Sequence, residues 1–161
     1  MEKKGVVFRV LVVVLAMLQP IVIVWMYGIH FPSISSTWDT MLQPLFIITN
    51  AVTSFFFFSI KRWRIPSFFL LMLTAFSVDF SPVFHNVLAT LFFLTCVYPL
   101  VYIKRFSYYI FIYVFGLFIW LLFGLFWFEV FNVYVLCVYH LHIMIYRYKL
   151  KKEKKIINSI Q

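Results

Sequence analysis

Apolar stretches of about 20 residues recur along this chain, separated by short polar segments, and that length suits a helix crossing roughly 30 Å of hydrocarbon. The stretches do not alternate polar and apolar residues and are about twice as long as a barrel strand, which excludes a β-barrel reading. Six spans are predicted, at about residues 6–27, 41–60, 66–79, 82–103, 106–128 and 130–146, with a basic tail over 147–161. The expected fold class is all-α, an integral membrane bundle of six transmembrane helices filling 1–146. Gln19-Pro20 predicts a kink in the first span. Pro44 and Pro66 suit first helical turns. Ser81-Pro82 combines a capping hydroxyl with a proline at the first helical position. The first span is too long for a signal-peptide core and no small-x-small site follows it, so it is expected to be retained.

Charge orients the spans. With the N-terminus inside, all 14 basic residues fall on the cytoplasmic side. They are Lys3, Lys4 and Arg9; Lys61, Arg62 and Arg64; Lys104 and Arg105; and Arg147, Lys149, Lys151, Lys152, Lys154 and Lys155. Asp39, Asp79 and Glu129 fall outside. Lys/Arg bias in short loops is the dominant topology signal, so both termini are expected in the cytoplasm. Trp25, Trp63, Tyr98, Tyr102, Trp127 and Tyr146 near span ends suit headgroup level.

Composition agrees. Hydrophobic residues make up 65% and charged residues 12%, and the mean hydropathy is +0.99, too apolar to cover a soluble domain of this size. The net charge of +9 sits in short connectors rather than on a folded face, which argues against nucleic acid. Cys96 and Cys137 lie inside apolar runs without metal-ligand spacing and read as small buried hydrophobes. No phosphate-binding loop, nucleophile elbow or paired-histidine zinc motif is present. No metal or cofactor is implied.

Polar residues inside spans usually face the bundle. Asn50, Thr53, Ser54 and Phe57 form one helical stripe, read first as interhelical packing and second as a substrate lining. His85 lies one turn inside the fourth span, with Ala89 and Phe92 or Phe93 on its face. With Asn86, Asp79, Asp39, His30 and Glu129 assigned to the same outer side, it forms a candidate polar, headgroup-binding cluster. A carboxylate near the imidazole would fix its tautomer, although capping and loop solvation account for the same residue types. His140 and His142, two apart, project about 200° apart on a helix. They cannot share a metal; one is expected in packing and the other at the interface.

Phe31-Pro32-Ser33-Ile34-Ser35-Ser36-Thr37 in the first outer segment and Pro82-Val83-Phe84-His85-Asn86-Val87-Leu88-Ala89 opening the fourth span, followed by Phe92-Phe93 and Tyr98, resemble the damage-regulated autophagy modulator superfamily. The likeness covers roughly residues 30–105, with Val87-Leu88 where the family carries a glycine. It implies six helices with cytoplasmic ends and a role in lipids or membrane homeostasis. It carries over Pro32, Ile34, Ser35, Thr37, His85 and Asn86 as a structural or headgroup-contact set.

The leading expectation is a non-enzymatic, multipass membrane protein that binds lipid, placed in the inner membrane if the source is bacterial. Anionic lipid is expected at the basic tail, with about 1 kcal/mol of attraction per basic residue near the surface. Two alternatives stand beside it. One is a lipid-modifying enzyme, by acyl transfer or hydrolysis, with His85 as base. The other is a transporter or accessory subunit of a membrane complex.

Overall fold

The computed structural model describes residues 3–160, with side chains from Val6 to Glu153. Lys3, Lys4, Lys154 and Lys155, counted above as basic groups, have side chains outside the described set. The described chain is helical: α1 (Lys3–Tyr27), α2 (Gln43–Phe58), α3 (Arg64–Ala75), α4 (Pro82–Tyr102), α5 (Tyr109–Phe123) and α6 (Leu125–Ile160), with single 3₁₀ turns at Ser35–Asp39, Lys61–Trp63 and Lys104–Phe106. Each α-helix packs against its neighbours in sequence, and α6 closes the ring against α1. Short connections make this up-and-down order natural.

Four segments are long and apolar enough to cross a membrane: Val6–Tyr27, Pro82–Tyr102, Lys104–Phe123 and Leu125–Glu153. The second and third helices are shorter than the sequence suggests. α2 has 16 residues and α3 has 12, or about 24 and 18 Å at 1.5 Å per residue. α3 stops at Ala75 rather than near Asp79 because Phe76 turns to an extended conformation (φ −110, ψ 113), and its carbonyl accepts a hydrogen bond from His85 Nδ1 at 2.9 Å. A tertiary contact therefore ends the helix.

The boundary between α5 and α6 also moves. It falls at Gly124, not at Glu129, and Gly124 has φ +89, a backbone conformation that a residue without Cβ reaches at no steric cost. Glu129 is thereby drawn into the first turns of α6. The segment expected as a separate tail from Arg147 continues α6 to Ile160. No proline or glycine interrupts it, and lysine, glutamate and leucine are good helix formers. One other feature matches expectation: Ser81 Oγ accepts from Phe84 N at the start of α4. α1 is continuous through the buried Pro20.

The ring is tied by tyrosines donating to backbone carbonyls of other helices. Tyr113 on α5 reaches Phe93 O at 3.0 Å, Tyr134 on α6 reaches Met17 O at 3.0 Å, and Tyr139 reaches Pro99 O at 2.8 Å. In an apolar surrounding such bonds have no water to compete with them. Gly116 lets α5 meet α6 closely: a Cβ there would lie 2.5 Å from Asn132 Nδ2.

Candidate functional site

The two ends of the bundle differ in chemistry. At the acidic end, the 3₁₀ turn Ser35–Asp39 is built by local bonds: Ser33 Oγ accepts from Ser36 N, and Thr37 Oγ1 donates to Ile34 O at 2.7 Å. Glu129 on α6 holds this turn from across the fold, its carboxylate accepting from Ile34 N, with the Ser35 N–H close enough to favour its charge. Ile34, Ser35 and Thr37 are buried as a result, while Pro32 is exposed. Glu129 is buried too, so its role is to anchor the loop rather than to face solvent.

The anchored loop presents Asp39 to Asp79, which lies between α3 and α4. Their carboxyl groups come within hydrogen-bonding reach, and His85 acts on Asp39 electrostatically. Desolvation first, then the hydrogen bond and charge of Asp79, raise the Asp39 pKa above the usual carboxylate range, and His85 pulls against them. His85 is 1% exposed. Because a carbonyl only accepts, the bond to Phe76 O places the proton on Nδ1. Its Nε2 is buried without a partner among the described residues, so in neutral imidazole that nitrogen is a free acceptor.

The remaining residues assigned to this cluster lie elsewhere. Asn86 is exposed, on a different face of α4 from buried His85. His30 is exposed in the turn after α1 and is not among the groups acting on Asp39. The buried face of α4 runs His85, Leu88, Phe92, Cys96 and Pro99, which agrees with the inward orientation expected of His85.

In the centre of the ring, α1, α2 and α6, closed by Leu70 and Phe92, surround a cavity of about 60 Å³. Gln19 Nε2, Thr49 Oγ1, Thr53 Oγ1 and His140 Nε2 border it, each buried without a partner among the described residues. Polar atoms left unpaired in an apolar interior cost about 1–3 kcal/mol each. The space would hold about two molecules of water size at roughly 30 Å³ each. Of the stripe on the second span, Asn50, Thr53 and Phe57 line this cavity, while the Ser54 carbonyl accepts from Ser67 Oγ at 2.6 Å and joins α2 to α3. The stripe thus serves both packing and lining.

Gln19, Thr49 and Asn132 escaped the sequence reading. Only their polarity inside apolar runs could have flagged them, and that says nothing of which helices meet. The histidine pair divides as expected. His140 sits among Phe56, Phe57, Trp63 and Tyr139, with the Trp63 ring centroid 4.6 Å away. His142 is exposed, its Nδ1 at 3.2 Å from both Tyr108 Oη and Tyr109 Oη. Cys96 and Cys137 are free and buried. Among the described residues no three His, Cys, Asp or Glu side chains gather as a metal site would require.

No family model, no curated protein and no solved structure matches this chain.

Proposed function

We propose that this chain is a six-span membrane protein with both ends in the cytoplasm, and that it binds lipid without transforming it. Its outer acidic cluster takes the ammonium of an ethanolamine-type headgroup. One observation carries the reading: Asp39 and Asp79 converge from separate loops, within electrostatic range of His85. Two carboxylates held together repel unless a proton or a cation lies between them. A primary ammonium has three N–H donors on a compact charge, and charge-assisted hydrogen bonds are the stronger kind. The partition of basic and acidic connectors supports the orientation, and the family resemblance points to the same membrane chemistry.

Native mass spectrometry of the protein released from nanodiscs of equal phosphatidylethanolamine and phosphatidylcholine tests this. Wild-type protein is expected to retain ethanolamine lipid preferentially. Asp39→Asn/Asp79→Asn should lower that preference about tenfold, equivalent to about 1.4 kcal/mol. Lowering the pH should weaken retention as well. Asp39 titrates above the usual carboxylate range, so its charge is lost as pH falls through that raised value, before an ordinary carboxylate would lose its own. Equal retention of both lipids by wild type and variant would sink the proposal.

A second reading has its own observation. His85 donates through Nδ1 to a fixed carbonyl and leaves Nε2 as a free base, the tautomer that a general base needs. Lipid profiles of cells with and without the protein decide this reading: an altered lipid species that reverts with His85→Ala favours catalysis, and identical profiles remove it.

A further inference from the structure

At the basic end of the ring a second crevice, of about 40 Å³, opens among α1, α4, α6 and the turn Lys61–Trp63. Three guanidinium groups line it from three separate elements: Arg9 on α1, Arg62 on the turn and Arg147 on α6. No Asp or Glu is among the lining residues. Arg9 and Arg147 lie within electrostatic range of one another, and Arg62 and Arg147 both act on Tyr139. Arg9 is half-buried while Arg62 and Arg147 are exposed, and like charges gathered around one crevice repel unless an anion offsets them.

The flanks hold these arginines without using up their donors. Arg62 lies 3.2 Å from the Tyr102 ring centroid and Arg9 lies 5.7 Å from that of Phe56, arrangements in which the ring face attracts the cation. Among the described residues, none of the three guanidinium groups donates a hydrogen bond, in contrast to that of Arg105, which reaches Tyr146 Oη. His140, beside Trp63 and Tyr139, lines this crevice as well as the central cavity, and its buried Nε2 has no partner among the described residues. The crevice thus combines three uncommitted cationic forks with an orphaned ring nitrogen that can donate in the tautomer bearing its proton there.

We propose that this crevice binds a phosphate group. Guanidinium forks match oxyanions in pairs of N–H···O bonds, and donors arriving from three elements suit a tetrahedral group better than the flat pair of oxygens of a carboxylate. The phosphate could belong to a lipid headgroup or to a free phosphate compound. Tyr102 and Trp63 beside the crevice are the residue types that settle at headgroup depth, which puts both sources within reach. The site lies at the opposite end of the bundle from the acidic cluster and stands without it.

Isothermal titration of the full chain in maltoside micelles tests the assignment, with dihexanoyl phosphatidic acid as one probe and inorganic phosphate as the other. Arg9→Gln/Arg62→Gln/Arg147→Gln should weaken binding of at least one probe more than tenfold. Lys149→Gln/Lys151→Gln/Lys152→Gln, which removes the same charge from outside the crevice, should change it less than threefold. Binding of both probes indicates recognition of the phosphate itself; binding of the lipid probe alone assigns the site to headgroups. Arg62→Lys, on an exposed residue, retains the charge but loses the fork and should weaken binding several-fold even if the triple variant does not fold. Equal losses in the arginine and lysine sets would reduce the effect to diffuse attraction and overturn the assignment. Wild-type protein that binds neither probe, or an Arg62→Lys variant that binds as wild type does, would overturn it too.

Discussion

A carboxylate in the apolar part of a helical bundle is costly to bury, and Glu129 is accommodated because the Ile34 N–H of a distant loop donates to it and the Ser35 N–H favours its charge. The same contact gives the Ser35–Asp39 turn its place, and that turn carries Asp39. Glu129→Ala should therefore release the loop while leaving the helices in place. The expected cost is about 1–3 kcal/mol for the stranded donors, felt locally. Hydrogen exchange read by mass spectrometry should show faster exchange at Ile34 and Ser35 and unchanged protection in α4. Unchanged protection of both segments would show that the carboxylate does not hold the turn. The acidity of residue 129 was plain in the sequence, but its partners were not, because Ile34 and Glu129 lie 95 residues apart.

At the scale of elements, the contact of α5 with α6 depends on one missing side chain. Gly116 faces Asn132, which is fully buried and donates through Nδ2 to Phe128 O at 3.1 Å. Gly116→Ala places a methyl group where the amide stands, and overpacking of this kind costs about 1–3 kcal/mol. The variant should melt at a lower temperature in detergent, and adding Asn132→Ala should recover much of the loss by removing the clashing atoms. Equal melting temperatures of wild type and Gly116→Ala would refute this account of the helix pair. The identity of each helix was legible from apolar length and from proline and serine signals, as Ser81-Pro82 shows. The ends of α3 and α5 were less so. Phe76 leaves the helix because His85 binds its carbonyl, and the break expected at Glu129 falls instead at Gly124, whose φ of +89 suits a residue without Cβ.

For the whole molecule, the ring order brings the basic connectors to one end and the acidic ones to the other. Arg62 meets Tyr102 and Arg105 meets Tyr146 across elements, while Asp39 meets Asp79. An impermeant amine reagent applied to sealed, right-side-out cells should leave both Lys61 and Lys104 unmodified, and inverted vesicles should expose both. Modification of the two from opposite faces would refute the six-span arrangement. The sequence alone determined that the chain folds into apolar helices, four of them long enough to cross a membrane, and where along it the basic and acidic connectors fall, since these follow from transfer free energies summed along the chain. Tertiary structure decided which polar atoms meet. Gln19 and His140 belong to one cavity, and Arg9, Arg62 and Arg147 to one crevice, only because the ring closes α6 on α1. Apolar surfaces are so nearly alike in lipid that the pattern of the chain does not say which helix each polar side chain will face.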